Sequence, residues 1–240
     1  MMTKGDFKTL QSVLNHTFAK WWVDSGSLLG LVRENSFLKN DKDIDIGVLI
    51  KDNGDLENFF SFFAKNGFRI MKFYWGDFLY KCKIIPQSTS FEYILDIQFY
   101  VFDSDGYYCC PQMVFKDKLS LYQKIKQKMF RMKKSKLNKE KDSFLKKMYH
   151  RLFVKKNICV QMRGNNMFDC YLWRIGFEYL DSELLCINGF PVFAETEKYL
   201  TYRYGEWRVP QSKWNFVVDD KSIVKVDANC LDRLLCVNSK

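Results

Sequence analysis

Nothing in this sequence is apolar for long enough to cross a membrane. A spanning helix needs roughly 18–20 consecutive apolar residues, and no stretch of the 240 residues approaches that. The opening MMTKGDFKTLQSVLNHTF mixes charged and apolar residues and has no signal-peptide core. A cytoplasmic protein is therefore expected, peripheral at most to the inner membrane face. Histidine is scarce, with only His16 and His150. His16 lies beside the apolar stripe of a first helix and reads as structural, and nothing fixes His150 near other chemistry. The eight cysteines are scattered, with one vicinal pair, Cys109–Cys110, and no Cys-x-x-Cys spacing. That excludes an ordinary zinc site and points to reduced thiols, not a disulfide framework. There is no internal repeat and no Gly/Ser linker, so one domain over residues 1–240 is expected.

What is present is apolar mass and unevenly placed charge. Hydrophobic residues make up 47% of the chain and aromatics 17%, enough for a substantial core. The net charge is +10. Residues 116–156 alone carry fourteen lysines and two arginines against three acids, a net of +13. Within that segment Tyr122, Ile125, Met129 and Met132 recur at helical spacing, as do Phe144, Leu145, Met148 and Leu152. Two amphipathic helices are expected, forming a basic insertion or subdomain. Such a patch attracts phosphate-rich polymers or an anionic membrane, or is simply a solvated lysine-rich surface.

The rest of the chain alternates helices and strands. Helices are expected over residues 6–20, 55–65 and 195–204. Strands are expected over 68–74, 78–85 and 91–100, with a pair around the Asn188–Gly189 turn at 185–192. Residues 168–180 fit helix or strand equally, and the last twenty residues carry little signal.

The chemistry concentrates between Val23 and Ile50, VDSGSLLGLVRENSFLKNDKDIDIGVLI. In Asp43-Ile44-Asp45-Ile46 the strand period of two puts both carboxylates on one face and both isoleucines on the other. Paired carboxylates on one rigid strand repel unless a cation sits between them, and hard oxygen ligands suit Mg²⁺ or Mn²⁺. A solvated edge strand is the alternative. Upstream, Trp21-Trp22-Val23 reads as a short buried strand ending in a small-residue turn, Asp24-Ser25-Gly26-Ser27. Backbone N–H groups of such a turn, opening a helix, suit phosphate. Asp96 stands in an apolar strand, Leu95-Asp96-Ile97-Gln98-Phe99. A buried carboxylate needs a metal, a proton or a cation such as a nearby lysine.

Strand, Gly-Ser turn, short helix and Asp-x-Asp strand together resemble the nucleotidyltransferase fold. Gly26-Ser27-Leu28-Leu29-Gly30-Leu31-Val32-Arg33 with Asp43-Ile44-Asp45 resembles one branch of it, the LicD and fukutin family. Lys42 before the first metal aspartate and the Lys213-Trp214 pair look more like fukutin. The third acid of the usual Trp-Asp-Asp-Asp-Ile-Asp is not matched, so Asp41 is left outside the metal set. Tyr199-Leu200 and Tyr204-Gly205-Glu206-Trp207, followed by Pro210, are similar to the family's C-terminal motif. The resemblance implies an α+β fold, a nucleotidyltransferase-like mixed sheet with flanking helices and an added basic helical segment. It implies a transferase moving a phospho-alcohol (ribitol or glycerol phosphate, or phosphocholine) from a CDP-linked donor. The implied acceptor is a hydroxyl of a surface glycan or of a lipid-linked oligosaccharide, as in capsule, lipopolysaccharide or teichoic acid synthesis; no nucleic acid is involved. By the same resemblance Asp43, Asp45 and Asp96 are the catalytic and metal residues, and Gly26, Ser27 and Arg33 bind the donor phosphates. Two other classes stay open: a conventional nucleotidyltransferase moving NMP from NTP, and a non-catalytic glycan- or membrane-binding module.

Overall fold

The computed structural model describes residues 4–39, 41–49, 56–87, 91–134, 144–153, 157–181, 183–211 and 213–237. Helix α1 (Lys4–Thr17) precedes strand β1 (Trp21–Val23), which leads into α2 (Ser25–Glu34) and β2 (Asp43–Leu49). Helix α3 (Leu56–Lys65) is followed by β3 (Phe68–Trp75), β4 (Phe78–Pro86), β5 (Ile94–Phe102) and β6 (Tyr107–Phe115). The basic helices α4 (Leu121–Lys134) and α5 (Phe144–Phe153) come next, then β7 (Asn157–Gln161) and β8 (Phe168–Gly176). The chain ends with α6 (Phe177–Asp181), β9 (Leu185–Ile187), β10 (Phe190–Val192), α7 (Thr196–Tyr204), α8 (Phe216–Asp219), β11 (Ile223–Val226) and α9 (Ala228–Val237).

One large mixed sheet organises these elements. Its order is β11-β8-β6-β5-β4-β3-β7, with β2 also paired to β5 and β1 to β2. Strand β5 carries β2 in parallel along one edge and β4 antiparallel along the other, then passes to β6 at Val101 and Phe102. This branching curls the sheet. The β9–β10 hairpin stands apart as its own small sheet.

The period-two alternation of β2 and β5 decides which side is core. Ile44, Ile46, Val48, Leu95, Ile97 and Phe99 point to one face and are fully buried. Leu10 and Leu14 of α1, Leu28 and Leu31 of α2, and Phe59 and Phe63 of α3 cover them. A second cluster on the sheet contains Met71, Phe73, Tyr80 and Leu172, closed by Leu231 and Leu235 of α9. Residues 168–180, ambiguous in the sequence, are strand to Gly176 and helix beyond. Cys82, Cys109, Cys110, Cys159, Cys170, Cys186 and Cys230 are free thiols. Among the described residues no helix is long and apolar enough to cross a membrane.

Strand β1 packs on β2 with Trp22 opposite Gly47. A Cβ on Gly47 would collide with the Trp22 indole, which is itself fully buried. Gly47→Ala must therefore shift Trp22 or the strand pair beneath the site. Overpacking of this kind costs about 1–3 kcal/mol, readable as a lowered midpoint in denaturant unfolding. An unchanged midpoint would show that the β1–β2 pair adjusts freely.

Candidate active site

The parallel register of β2 and β5 sets Asp45 directly beside Asp96, with Asp43 beside Ile94. Alternation keeps Asp43, Asp45 and Asp96 on the face opposite the core. On the other edge of β5, strand β4 places Lys83 opposite Asp96 and Lys81 opposite Gln98. The three carboxylates predicted from sequence thus share one sheet face with two lysines that sequence reasoning did not single out.

The lysines engage Asp96 closely. Lys83 Nζ donates to Asp96 Oδ2 and lies 3.4 Å from Asp43 Oδ2. Lys81 Nζ pairs with Asp96 Oδ1 at 3.0 Å. Burial alone would raise the Asp96 carboxyl, but Lys81 and Lys83 outweigh it and bring it down to about 2. Asp45 behaves oppositely. Burial, then the charges of Asp96 and Asp43, push it well above the ordinary carboxylate value, and the two lysines only partly offset this.

The turn ahead of β2 is tied to it through the backbone. Asp24 N–H donates to the Asp45 carbonyl (3.0 Å), and Asp45 N–H donates to Ser27 Oγ (2.9 Å). The helix begins earlier than the turn reading implied. Ser25 is already the first residue of α2, and Asp24 caps it by accepting from Ser25 N–H. Ser25 sits at φ 53, a left-handed conformation that a non-glycine residue holds only under constraint. Gly26 and Ser27 then occupy the first turn, where N–H groups lack helical acceptors. A Cβ on Gly26 would come 2.8 Å from Asp41 Oδ2.

A buried polar hub below this turn supplies the constraint, and sequence reasoning missed it. Asp24 Oδ1 accepts from Ser25 N–H (2.6 Å), Tyr199 OH (2.9 Å) and Arg203 Nη1 (2.9 Å), while Oδ2 accepts from Tyr100 OH (2.9 Å). Arg203 Nη1 also donates to Ser25 Oγ (3.2 Å), and its Nε donates to Asp220 Oδ2 (3.0 Å). Its guanidinium lies 4.9 Å from the Trp173 ring centre. Asp24, Arg203 and Asp220 are all buried. Within the Tyr199-to-Pro210 motif, Tyr199 and Arg203 thus hold the turn from below.

These elements enclose a cleft of about 680 Å³. Ser25, Gly26, Arg33, Asp41, Asp45 and Asp96 line it, together with Lys81, Lys83, Lys134 and an aromatic wall that includes Trp173, Tyr204, Trp207 and Trp214. Ser27 is buried beneath, its hydroxyl accepting from Asp45 N–H, and Ser25, also buried and with its hydroxyl accepting from Arg203, is the serine that lines the cleft. Arg33 lines the cleft but also donates to the Trp207 carbonyl (3.2 Å) and pairs with Glu34 (2.9 Å). Asp41, left outside the metal set by the sequence reading, faces the same space. Burial and the neighbouring Asp43 raise its carboxyl. His16 lies in α1 and His150 in α5.

A hard divalent cation fits this donor set at Asp43 and Asp45. Both belong to one strand, and Asp45, raised first by burial and then by the charges of Asp96 and Asp43, is a carboxylate whose charged form such a cation would favour. Asp96 is in register beside them but already carries two ammonium groups. Among the described residues, no three His, Cys, Asp or Glu side chains converge into a complete cage. Two carboxylates leave the remaining positions to donor oxygens and water, as Mg²⁺ sites at phosphates commonly do.

Over 63 residues the chain is 33% identical to an uncharacterized protein of Rickettsia typhi and 32% identical to one of Rickettsia prowazekii. Each match covers 26% of this chain, and 20% and 24% of the two relatives, so the chain spans about a quarter or less of their length. Residues 19–118, from the approach to β1 through β6 and including Gly26, Ser27, Arg33, Asp43, Asp45 and Asp96, match the family model described as LicD/FKTN/FKRP, nucleotidyltransferase domain.

Proposed function

We propose that this chain is a divalent-metal-dependent transferase that moves a phospho-alcohol from a CDP-linked donor to a hydroxyl of a cell-surface glycan or its lipid-linked precursor. The matched family is one of transferases. The observation that carries the reading is the shared cleft: the N-terminus of α2 opens onto the same space as Asp45 and Asp96. One end suits phosphate and the other suits a cation bound to phosphate.

Asp43 and Asp45 would hold Mg²⁺ or Mn²⁺, which supplies neutralisation of the donor pyrophosphate and of the departing CMP. The first-turn N–H groups at Gly26 and the guanidinium of Arg33 meet phosphate oxygens. Lys81 and Lys83 add positive charge where negative charge collects. In the transfer, the acceptor oxygen bonds to the phosphorus that carries the alcohol. The bond from that phosphorus to the bridging oxygen breaks, and CMP leaves with that oxygen. The hydroxyl proton needs a base. Asp96, ionised down to about 2, is too weak for this near neutral pH. Its part is to aim the two lysines. Lys134 is better matched: burial, then Lys83 and Lys81, bring its ammonium down to about 7.

Incubating the chain with CDP-ribitol, CDP-glycerol and CDP-choline, with and without Mn²⁺, tests the reading. CMP release that depends on metal and acceptor is expected from one donor. Pyrophosphate release from an NTP, with no CMP from any CDP donor, would replace it with nucleotidyl transfer.

A further inference from the structure

Helix α4 has two faces, and only one belongs to the protein. Phe130 packs against Phe73, Phe115 and Phe168, with ring centres 6.2, 5.8 and 5.9 Å away. Gln123 donates to Asn166 (3.4 Å), and buried Arg69 donates to the Lys133 carbonyl (2.7 Å), fixing the last turn. On the opposite face Leu121, Tyr122, Ile125 and Met129 are 77%, 65%, 54% and 44% exposed. The sequence periodicity grouped Tyr122, Ile125 and Met129 with Met132; the structure turns the first three outward beside Leu121 and leaves Met132 half-buried.

Its borders are charged with one sign. Helix α4 carries six basic residues and no acidic one. At ~100° per residue, the apolar stripe spans roughly 100°, with Lys126 and Lys133 on one flank and Lys124, Lys128 and Arg131 on the other. Lys126 Nζ already lies over the Tyr122 ring, 4.4 Å from its centre. Long basic side chains flanking an apolar stripe suit a lipid interface, where the stripe enters the acyl boundary and the ammonium groups reach anionic headgroups. A polyanion in water would use the lysines and leave the apolar stripe wet. Helix α5 repeats the pattern, with Phe144, Leu145 and Leu152 exposed. Soluble monomers rarely show contiguous apolar surface of this kind.

We infer that the outer face of α4 docks the protein on an anionic lipid surface. The helix ends at Lys134, which lines the cleft. Docking through α4 therefore sets the cleft near the headgroup plane, where a lipid-linked acceptor would lie.

The test is co-sedimentation of the full chain with vesicles of phosphatidylcholine alone or mixed with phosphatidylglycerol. Donor and turnover play no part, so failure here leaves the transferase reading standing. Anionic vesicles should bind at least about tenfold more tightly than neutral ones at low salt, with steep weakening as salt rises. The double variant Ile125→Gln/Met129→Gln, which changes no charge, should weaken binding to anionic vesicles by at least about tenfold. Its melting temperature and its retention on heparin should stay as in wild type. A chain that ignores both vesicles overturns the inference. So does a double variant that binds them like wild type, because the attraction would then be electrostatic only. Self-association in sedimentation velocity that the double variant abolishes, without vesicle binding, would assign the face to a second copy instead.

Discussion

Asp45→Asn is expected to lower turnover by at least about a thousandfold while leaving the fold intact. The amide keeps the volume of the side chain and removes the charge that a divalent cation needs, which is worth several kcal/mol at a transferring phosphoryl group. Asp43→Asn should behave alike. The two differ in what they do to stability without metal. Asp45 is pushed well above its ordinary value by burial and by Asp96 and Asp43. The folded state therefore holds this proton more tightly than the unfolded chain does. Stability is lost as pH rises from the unfolded value toward the folded one. Asparagine removes that loss, so metal-free Asp45→Asn should melt higher than wild type at pH 8, and the advantage should vanish near pH 4. Added Mn²⁺ should stabilise wild type and not the variant. Wild-type-like turnover in Asp45→Asn would remove the metal from the mechanism.

The carboxylates were legible because strand alternation is a local rule. Asp43 and Asp45 must share a face whatever else the chain does, and Asp96 announced itself as a charge inside an apolar strand. Lys81 and Lys83 were invisible for the same local reason. In β4 they alternate with Tyr80, Cys82 and Ile84, which reads as a solvent-facing side. Only the pairing of β4 with β5 turns that side toward Asp96. Arg203 was not singled out within its short helix, and Asp24 read as part of a turn. What joins them is packing between segments 179 residues apart, which no local period encodes. Strand β6 escaped notice because Pro111 interrupts it. A proline is tolerated there because β6 has already parted from β5 beyond Cys109, which leaves an edge that needs no donor from it. The apolar stripe of α4 was read correctly as a stripe. Periodicity says which residues share a face and leaves open what the face meets.

Arg203→Met is expected to be the most destabilising single change at the site. Arg203 is one cation held between two buried carboxylates, Asp24 and Asp220, with both oxygens of Asp24 engaged. Methionine fills much of the space but leaves both carboxylates without their counter-charge. Breaking a buried pair in this way costs about 3–5 kcal/mol, because the remaining charge stays desolvated. Arg203→Lys keeps the charge and loses the fork. One ammonium cannot reach Asp24, Ser25 and Asp220 with the same geometry, so a smaller loss is expected. The lysine variant also separates stability from positioning. If the hub holds Ser25 in its left-handed conformation for the donor phosphates, Arg203→Lys should raise the KM for the CDP donor beyond what partial unfolding explains, with the acceptor KM unchanged. Denaturant unfolding and donor kinetics on the two variants read both effects. A loss below about 1 kcal/mol for Arg203→Met would mean that Asp24 and Asp220 find other partners, and the hub would then be packing around the site and not its support.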